Sequence, residues 1–455
     1  MTAVLPARPD TPRPAAPRLP RVVGDLEVPL VTGGRVPYAN LDLAASAPAL
    51  CAVADHVATL LPYYASVHRG AGYASQVCTS VLERARDTVA RFVGARADDV
   101  VVFTRNTTDA LNLLAGCVPG GVLCLDVEHH ANLLAWRSAG HRVLRSAGTV
   151  ERTLDDLRAA LAAEPTALLA VTGASNVTGE VLPLERVAAL AHAAGARVVV
   201  DAAQLAPHRR IDIAAAGVDY LALSGHKLYA PYGAGALVGR RDWLDVAAPH
   251  LAGGGAVRRV ATTPAGTAEV TWAPAPHRHE AGTHVLGAAA LAQACRTLDG
   301  VLDAAGPAHE RALLDRLTDG LAALPRVRPL RIWPDSTDRV AVLSFVVDGV
   351  PAGLVAAHLS AEHGVGVRDG KFCAHPLLDR LPGAADGAVR ASLGLGTTAS
   401  DVDRLVEAVR SLVTHGPRWT YGVVDGRWAP TPDPRDHDPL GLGPSRALAA
   451  AGCGE

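Results

Sequence analysis

The stretch Tyr220–Tyr232, YLALSGHKLYAPY, decides the fold and the place of the reactive group. Its first residues, Tyr220–Leu223, form an apolar run of the length of a buried parallel strand. A Ser-Gly-His turn at 224–226 ends the run, and Lys227 follows at once. Because ligands bind in the crevice beyond the carboxyl ends of parallel strands, we expect the Lys227 amine to face such a crevice.

A second apolar run brings an acid and an amide to the same edge of the sheet. Val198–Val200 ends in Asp201, and Gln204 lies three residues further on. A lysine with an aspartate is the pair that a pyridoxal phosphate site requires. The lysine forms a Schiff base, and the aspartate keeps the pyridine nitrogen protonated so that the ring accepts electrons. The two strand ends therefore predict this cofactor.

Apolar runs and helical segments alternate over the first two thirds of the chain. The runs that we interpret as strands are Val100–Phe103, Val122–Leu125, Ala167–Val171, Arg197–Val200 and Tyr220–Leu223. Segments of helical composition, such as Ser75–Phe92 and Leu184–Ala194, separate them. This alternation predicts an α/β fold with a parallel sheet covered by helices on both faces.

The chain of 455 residues is too long for one core, and its composition changes at several points. We interpret 1–20 as a disordered tail rich in Pro, Ala and Arg, and 21–285 as the large domain that binds the cofactor. The N-terminal segment of 21–285 is a candidate part of the small domain that follows. Residues 286–415 form a smaller α/β domain, and 416–455 a C-terminal extension that begins with a hairpin on Asp425-Gly426. The glycine-rich and proline-containing passage 253–276 is interpreted as loops.

The balance of charge limits the classes of partner. Lys and Arg number 43 and Asp and Glu 45, which argues against binding nucleic acid or a membrane through bulk charge and favours a small-molecule substrate.

The cysteines and histidines indicate the compartment and the absence of a predicted metal site. The seven cysteines are an odd number without CxxC spacing, so we expect reduced thiols in a cytoplasmic protein. No signal sequence or membrane span is predicted. His129-His130 has no further ligands at zinc-like spacing, so no metal site is predicted.

Eight polar residues fall just after apolar runs or in the turns that follow them. They are Thr107, Thr108, Asn176, Asp201, Gln204, Ser224, His226 and Lys227. Any one of them alone is explained as a solvated cap of a strand or helix. Together, and with a hydroxyl-rich turn between a strand and a helix at 104–109, they match the needs of a phosphate-bearing cofactor.

Six separated words carry a resemblance to a known family. FTRNTTDALNL, EHHANLLAW, SNVTGE, VVVDAAQ, SGHK and HEAGT occur in this order, and the likeness runs from Asn40 to Val413. The chain resembles class V aminotransferase-fold pyridoxal phosphate enzymes, most closely the Suf-type cysteine desulfurases and selenocysteine lyases. The resemblance implies PLP fold-type I, with a mostly parallel seven-stranded sheet in the large domain and a smaller C-terminal α/β domain.

The resemblance also implies a role for each residue of the cofactor site. Lys227 forms the Schiff base, Asp201 pairs with the pyridine nitrogen, and His129 stacks on the ring. Asn176 and Gln204 bond the ring's O3′ or the substrate.

A further set of residues binds the cofactor phosphate in enzymes of this family. The matching residues here are Thr107, Thr108, Ser224 and His226, with Thr283 from the neighbouring subunit. A residue that crosses between subunits implies a homodimer.

Arg390, in AVRASLGLGTT, matches the arginine that holds the substrate's carboxylate, and a bidentate guanidinium suits that planar anion. Further substrate contacts implied by the resemblance are His68, Arg69 and Arg368. The less favoured alternative for Arg390 is one partner of a surface salt bridge.

Cys373, in VGVRDGKFCAHPLL, stands where Suf-type enzymes place the thiol that attacks the substrate sulfur. The implied reaction removes sulfur from L-cysteine through a Cys373 persulfide and leaves alanine, with a sulfur-acceptor protein as a candidate partner. Without the family, a cysteine beside Phe372 is more often an inert apolar residue.

Departures from the family pattern leave alternatives open. Suf-type enzymes usually carry two histidines before the thiol, whereas this chain has Lys371-Phe372, and Leu43 stands where an asparagine is expected. One alternative is another class V activity, such as a C–S β-lyase, aminotransferase or epimerase. Another is a non-catalytic docking protein that works through the aromatic residues of its C-terminal extension.

Overall fold

The computed structural model describes residues 19–303 and 305–443. The predicted tail at 1–20 lies outside these ranges except for its last two residues, and Cys453 lies outside them as well. Over the described ranges, no helix is both long enough and apolar enough to cross a membrane.

Twelve α-helices occur in these ranges. In chain order they are α1 (Cys51–Leu60), α2 (Tyr73–Phe92), α3 (Thr107–Ala115), α4 (His130–Leu134), α5 (Val150–Ala163), α6 (Leu184–Ala193), α7 (Arg241–Val246), α8 (Val285–Asp299), α9 (Ala305–Ala322), α10 (Ala352–His363), α11 (His375–Arg380) and α12 (Ala399–His415). Short 3₁₀ helices lie at Leu61–Tyr63, Ala135–Ala139 and His277–His279.

Nineteen strands are described. They are β1 (Glu27–Pro29), β2 (Arg35–Pro37), β3 (Ala39–Asn40), β4 (Val100–Thr104), β5 (Val122–Leu125), β6 (His141–Leu144), β7 (Leu168–Thr172), β8 (Arg197–Asp201), β9 (Tyr220–Ser224), β10 (Gly235–Gly239), β11 (Val257–Thr262), β12 (Ala268–Trp272), β13 (Val327–Pro329), β14 (Val342–Val347), β15 (Val365–Gly366), β16 (Arg368–Gly370), β17 (Ala388–Ser392), β18 (Tyr421–Val424) and β19 (Arg427–Pro430).

A seven-stranded sheet forms the centre of the molecule, with strand order β4-β10-β9-β8-β7-β5-β6. The pairings β9-β8, β8-β7, β7-β5 and β5-β6 are parallel, and β10 runs antiparallel to both of its neighbours. The predicted mostly parallel seven-stranded sheet is confirmed. Strands β6 and β10 are not predicted by the sequence, because HRVL is half polar and GALVG has a glycine at each end.

The register of the parallel strands brings their polar ends together. Thr172 at the end of β7 pairs with Asp201 at the end of β8, and Asp201 pairs with Ala222 of β9, two residues before Ser224. All residues of β7 and β9 are buried, since helices cover both faces of the sheet. Polar side chains at this edge therefore share one crevice, as their positions after apolar runs predict.

The smaller domain is built on a four-stranded antiparallel sheet with order β13-β14-β17-β16. The N-terminal segment joins it, because β3 pairs in parallel with β15 and Val31 donates its N–H to the carbonyl of Ala361. Ala39 and Leu41 are packed into the same core as Phe345.

The predicted boundary at 286 assigns the long helix α8 to the smaller domain, but the structure places this helix in the core of the large domain. It packs against α1 and α2, and its buried Ala288, Leu291 and Cys295 belong to the core of the large domain. Ten of its fifteen residues are buried. An almost uniformly small and apolar helix can cover either domain, so its sequence does not reveal its neighbour.

The passage interpreted as loops contains a hairpin, which corrects that prediction. Strands β11 and β12 pair antiparallel, and most of their residues are exposed or half-buried. The sequence does not predict this pair, because an exposed hairpin lacks the alternation of apolar and polar residues that marks a half-buried strand. Arginines within Val257–Thr262 and the nearby glycines and prolines are typical of loops as well.

The C-terminal hairpin β18-β19 forms on the predicted Asp425-Gly426 turn, where both residues adopt positive φ (49° and 75°). The hairpin packs on α10 through one buried acid. Glu362 accepts hydrogen bonds from the backbone N–H groups of Arg418 and Trp419 and from the Tyr421 hydroxyl. The aromatic residues thus contact their own chain.

Candidate active site

A cavity of about 250 Å³ opens at the carboxyl edge of the central sheet. The residues of the predicted site that line it are Thr107, Thr108, His129, Asn176, Asp201, Gln204, Ser224, His226, Lys227, Arg368, Cys373 and Arg390. The first nine come from the large domain and the last three from the smaller one. The cavity therefore lies where the two domains meet.

Lys227 reaches the cavity because β9 ends in a very tight turn. A Cβ at Gly225 would lie 2.6 Å from the carbonyl oxygen of Ala234, so only glycine fits there. Burial lowers the pKa of Lys227 to about 8, and the negative charge of Asp201 opposes this shift. The lysine consequently has an appreciable fraction of neutral, nucleophilic amine near neutral pH.

Asp201 is buried at the end of β8, and its Oδ1 accepts a hydrogen bond from the backbone N–H of Ala203 at 3.0 Å. Burial raises the pKa of Asp201, while the charge of Lys227 opposes that shift. A cationic N–H group placed in the cavity would stabilise the ionised form. A protonated pyridine ring is such a group.

His129 precedes α4, and its Nδ1 accepts a hydrogen bond from the backbone N–H of Ala131 at 3.1 Å. Burial, together with the charge of Lys227, lowers the pKa of His129 to about 3. The imidazole is therefore neutral near physiological pH. A neutral, flat ring on the cavity wall suits stacking on an aromatic heterocycle.

The end of the cavity near α3 fits a phosphate group. Thr107 begins this nine-residue helix, and Asn106 caps it by accepting from the N–H of Asp109. The buried Thr107 hydroxyl has no hydrogen-bond partner within the described residues, while Ser224 and His226 contact each other at 3.3 Å. Helix N–H groups and an unsatisfied buried hydroxyl are suited to bind an anion. The residues present thus fit pyridoxal phosphate at both ends.

Asn176 and Gln204 line the cavity, but both use an amide N–H within the protein. Asn176 donates to the carbonyl of Phe372, and Gln204 donates to the carbonyl of Ala44 at 2.7 Å. Each amide keeps a second N–H group and its oxygen for other contacts. Their predicted contacts with O3′ or the substrate remain predictions.

Arg390 is 3% exposed, which excludes the alternative of a surface salt bridge. Its Nη2 donates to Asp42 and its Nη1 to the backbone carbonyl of Asn176 at 3.0 Å. Its Nε has no partner within the part of the chain that the structure describes. The guanidinium is held by two contacts, and its unpartnered Nε–H is one of the donors that remain for an anion in the cavity.

Cys373 lies in a turn between β16 and α11 with unusual backbone geometry. Phe372 and Cys373 both adopt left-handed φ angles, 52° and 54°, which non-glycine residues rarely do. Asn176 donates to the carbonyl of Phe372 and His130 donates its N–H to the carbonyl of Cys373, each at 2.8 Å. Two contacts from the large domain therefore hold a strained turn in place, as is common at functional sites.

Three predicted site residues lie outside the residues that line this cavity. They are His68, Arg69 and Thr283. His68 contacts Glu83 at 2.9 Å and packs its ring against His277, and the Thr283 hydroxyl donates to the carbonyl of Glu280. The role of Thr283 in a neighbouring subunit stays a prediction.

Asp42, the acid that pairs with Arg390 across 348 residues, is not among the predicted site residues. Asp42 lies in the motif LDLAASA, directly before Leu43, but the neighbouring sequence does not show which basic residue an acid will pair with. Glu128, the first residue of EHHANLLAW, was also missed; it is fully buried beside His129.

Comparisons with known proteins agree with this geometry. The family model described as aminotransferase class-V matches residues 39–405. A probable cysteine desulfurase 2 from Mycobacterium leprae is 39% identical over 76% of this chain and 84% of its own length. A cysteine desulfurase from Dickeya dadantii is 37% identical over 83% of this chain and 92% of its own.

Solved structures of cysteine desulfurases are similar to this chain as well. The apo structure of cysteine desulfurase from Thermococcus onnurineus superposes with a TM-score of 0.75 at 31% identity, and the Escherichia coli cysteine desulfurase CsdA (S-sulfonic acid) with 0.71 at 34%. Each match covers 83% of this chain and 94% of the other. With most of its length matched and a lysine and an aspartate at adjoining strand ends, the chain belongs to the aminotransferase class-V family.

Proposed function

We propose that this chain is a pyridoxal phosphate-dependent cysteine desulfurase that takes sulfur from L-cysteine onto Cys373 and releases alanine. The observation that carries the proposal is that Lys227, Asp201, Arg390 and Cys373 line one cavity. Relatives described as cysteine desulfurases, similar over most of their length, support the choice of substrate.

The cofactor would be held by the residues whose geometry fits it. Asp201 would hold its pyridine nitrogen, His129 would cover its ring, and Thr107 with the N-terminus of α3 would bind its phosphate. When bound, pyridoxal phosphate supplies an electron sink for the α-carbon of an attached amino acid. The chain's own contribution is to position and move protons around that carbon.

Lys227 is the residue suited to take and return the α-proton. Its amine lies in the cavity, and its pKa of about 8 lets it exist in both protonation states near neutral pH. Arg390 fixes the other end of the substrate, because its unpaired Nε and charge favour a carboxylate.

Cys373 accepts the sulfur in this proposal. Its thiolate attacks the sulfur of the substrate, so that an S–S bond forms while the Cβ–S bond breaks. The electron pair of the broken bond stays with the carbon, which takes a proton, and alanine leaves. The persulfide on Cys373 is then reduced by a thiol or transferred to an acceptor protein.

The assembly and location belong to the same proposal. A homodimer would let Thr283 reach the phosphate of the partner's cofactor, which is consistent with its position outside the cavity of its own chain. None of the six described cysteines forms a disulfide, and this suits a reducing cytoplasm.

The experiment is product analysis with L-cysteine and a reducing thiol. The wild-type enzyme should form alanine and sulfide in equal amounts. Cys373→Ala should lose both products while it keeps the bound cofactor's visible absorption, because the thiol does not contribute to that absorption. Unchanged turnover in this variant would remove Cys373 from the reaction.

One observation favours a second candidate, another class V reaction on a larger amino acid. Lys371, in one of the positions where Suf-type enzymes carry histidine, is bound to Asp379 at 2.7 Å, and Phe372 packs under Arg390. Formation of a keto acid, pyruvate or an inverted amino acid, without sulfane sulfur, would support this candidate instead.

A further inference from the structure

Glu128 and Asn132 form a buried pair that the proposed reaction does not use. Glu128 lies in the segment between β5 and α4, and Asn132 lies in α4, so the pair spans His129. Both residues have 0% exposure. Asn132 Nδ2 donates to Glu128 Oε2 at 2.7 Å.

The two remaining oxygens of this pair are unsatisfied. Glu128 Oε1 and Asn132 Oδ1 are both buried, and neither has a hydrogen-bond partner within the described residues. Both are acceptors when Glu128 is ionised, so the pair then lacks a donor. Buried polar atoms without a partner are rare and costly in folded proteins.

A proton on Glu128 would supply the missing donor. A carboxylic acid and a primary amide are complementary planar groups: the amide N–H donates to one carboxyl oxygen, and the acid O–H can donate to the amide oxygen. We propose that Glu128 is a neutral carboxylic acid near neutral pH, paired with the Asn132 amide, and that this pair positions His129.

The electrostatic surroundings agree with that proposal. Burial raises the pKa of Glu128 to about 8, although hydrogen bonds from the Asn132 side chain and the Thr172 backbone oppose the shift. The two charged groups that act on it most strongly, Asp201 and Asp126, are themselves acids and raise its pKa further.

Asp126 has its own cation, since Arg380 binds it at 3.0 Å, and Lys227 is the cation that acts on Asp201. Glu128, by contrast, has no cation among the groups that act most strongly on it. Its neutrality leaves Asp201 as the anion that faces the cavity, a consequence that rests on the proposed function.

Glu128 acts through its neighbours and is a positioning residue. His129 is held between Glu128 and the first turn of α4, where its own Nδ1 accepts from Ala131. Loss of the acid-amide pair would free one side of this turn and let the imidazole move relative to the cavity.

Infrared spectroscopy of wild-type enzyme with carbon-13-labelled glutamate tests the protonation directly. A carboxylic acid and a carboxylate have distinct C=O stretches. We expect a buried acid band near neutral pH that disappears as the pH rises through about 8 and is absent in Glu128→Gln. If wild-type enzyme near neutral pH shows no such band, or if Glu128→Gln leaves it in place, the proposal is wrong.

Glu180 provides a matched control, because it is also a buried glutamate but binds a cation. It accepts from Arg331 Nε at 2.6 Å and from the backbone N–H of Ile332 at 2.7 Å. Glu180→Gln should therefore remove a carboxylate band and leave the acid band unchanged.

A second measurement tests the positioning role. Gln at 128 can donate to Asn132 Oδ1 and accept from Asn132 Nδ2, so Glu128→Gln should retain bound cofactor and the pH dependence of its visible absorption. Glu128→Leu should release the cofactor about tenfold faster, as expected for loss of buried hydrogen bonds. Equal impairment of the two variants, or no impairment in Glu128→Leu, would overturn the positioning role.

These readouts do not depend on turnover of cysteine. An acid band together with failure to form alanine would contradict the proposed function and leave the protonation of Glu128 standing. Alanine formation without an acid band would contradict the protonation of Glu128 and leave the proposed function standing.

Discussion

Arg390 donates from Nη2 to Asp42 Oδ1 at 2.9 Å, so an acid that precedes α1 holds a base from the smaller domain. Burial lowers the pKa of Arg390, and the charge of Asp42 opposes this shift. The pair fixes the orientation of the guanidinium before any substrate enters. Such preorganisation favours binding of a planar carboxylate in one direction.

The first prediction concerns this guanidinium. Arg390→Lys should raise KM for L-cysteine about tenfold, because a lysine ammonium cannot hold Asp42, the Asn176 carbonyl and a carboxylate at once. Steady-state kinetics measure the change. The bound cofactor's absorption serves as the control and should not change; an unaltered KM would exclude Arg390 from substrate binding.

The second prediction follows from the amine of Lys227. Its pKa is lowered to about 8 by burial, so the neutral fraction rises with pH up to that value and then stays constant. The rate at which cofactor-free enzyme captures pyridoxal phosphate covalently should therefore rise about tenfold per pH unit below about pH 8 and level off above it. Stopped-flow absorbance follows the reaction.

Lys227→Arg is the matched control for that experiment. It keeps a positive charge but has no amine that can lose its proton in this range, so no covalent product should form. A capture rate that still rises steeply at pH 10 would show that the Lys227 pKa is not lowered.

The third prediction concerns two imidazoles near Cys373. The rings of His130 and His375 lie 4.6 Å apart, and the backbone N–H of His130 donates to the Cys373 carbonyl. Burial and the charge of His375 lower the pKa of His130, which keeps its ring neutral and able to accept a proton. The tertiary structure thus brings two histidines to the turn that carries Cys373, although none directly precedes the cysteine in sequence.

His375→Gln should slow alkylation of Cys373 by iodoacetamide about threefold near neutral pH and move the midpoint of its pH profile upward, because a thiolate forms less readily without a nearby base. Mass spectrometry at Cys373 gives the rate. His415→Gln, in the last turn of α12, is a control that should leave the rate unchanged. An identical pH profile in His375→Gln would contradict the prediction.

The fourth prediction concerns the attachment of the C-terminal hairpin. Burial alone would raise the pKa of Glu362, but its hydrogen bond with Arg418 and the charge of His358 outweigh that effect and the pKa is lowered. Glu362→Gln should cost about 2 kcal/mol of unfolding free energy, because a buried charged network loses a partner. Denaturant unfolding measures the loss, and hydrogen exchange should rise within 418–430.

The pH dependence of this contribution has a definite sign. A carboxyl group whose pKa is lower in the folded state stabilises the protein above its unfolded pKa, and this stabilisation disappears as the pH falls through the folded value. Wild type and Glu362→Gln should therefore become more alike in stability as the medium is acidified below about pH 4. A difference that grows on acidification would contradict the assignment.

The positions of Lys227 and Asp201 could be predicted because local sequence specifies both the strands and their ends. Four or five apolar residues followed by a glycine turn or a polar residue allow few other structures in a buried parallel sheet. Parallel strands in register then bring those ends to one edge, whatever the rest of the chain does.

The sequence by itself therefore determined the class of fold and the position of Lys227 and Asp201 at adjoining strand ends. Only the tertiary structure decided which residues meet across long separations: Arg390 with Asp42, Asn176 with the Phe372 carbonyl, and Glu362 with the C-terminal hairpin. Local hydrogen bonding and hydrophobic periodicity act within a few residues and leave a signature in the sequence. The pairing of buried charges and the strained turn at Cys373 depend on packing between two domains, which no short stretch of sequence specifies.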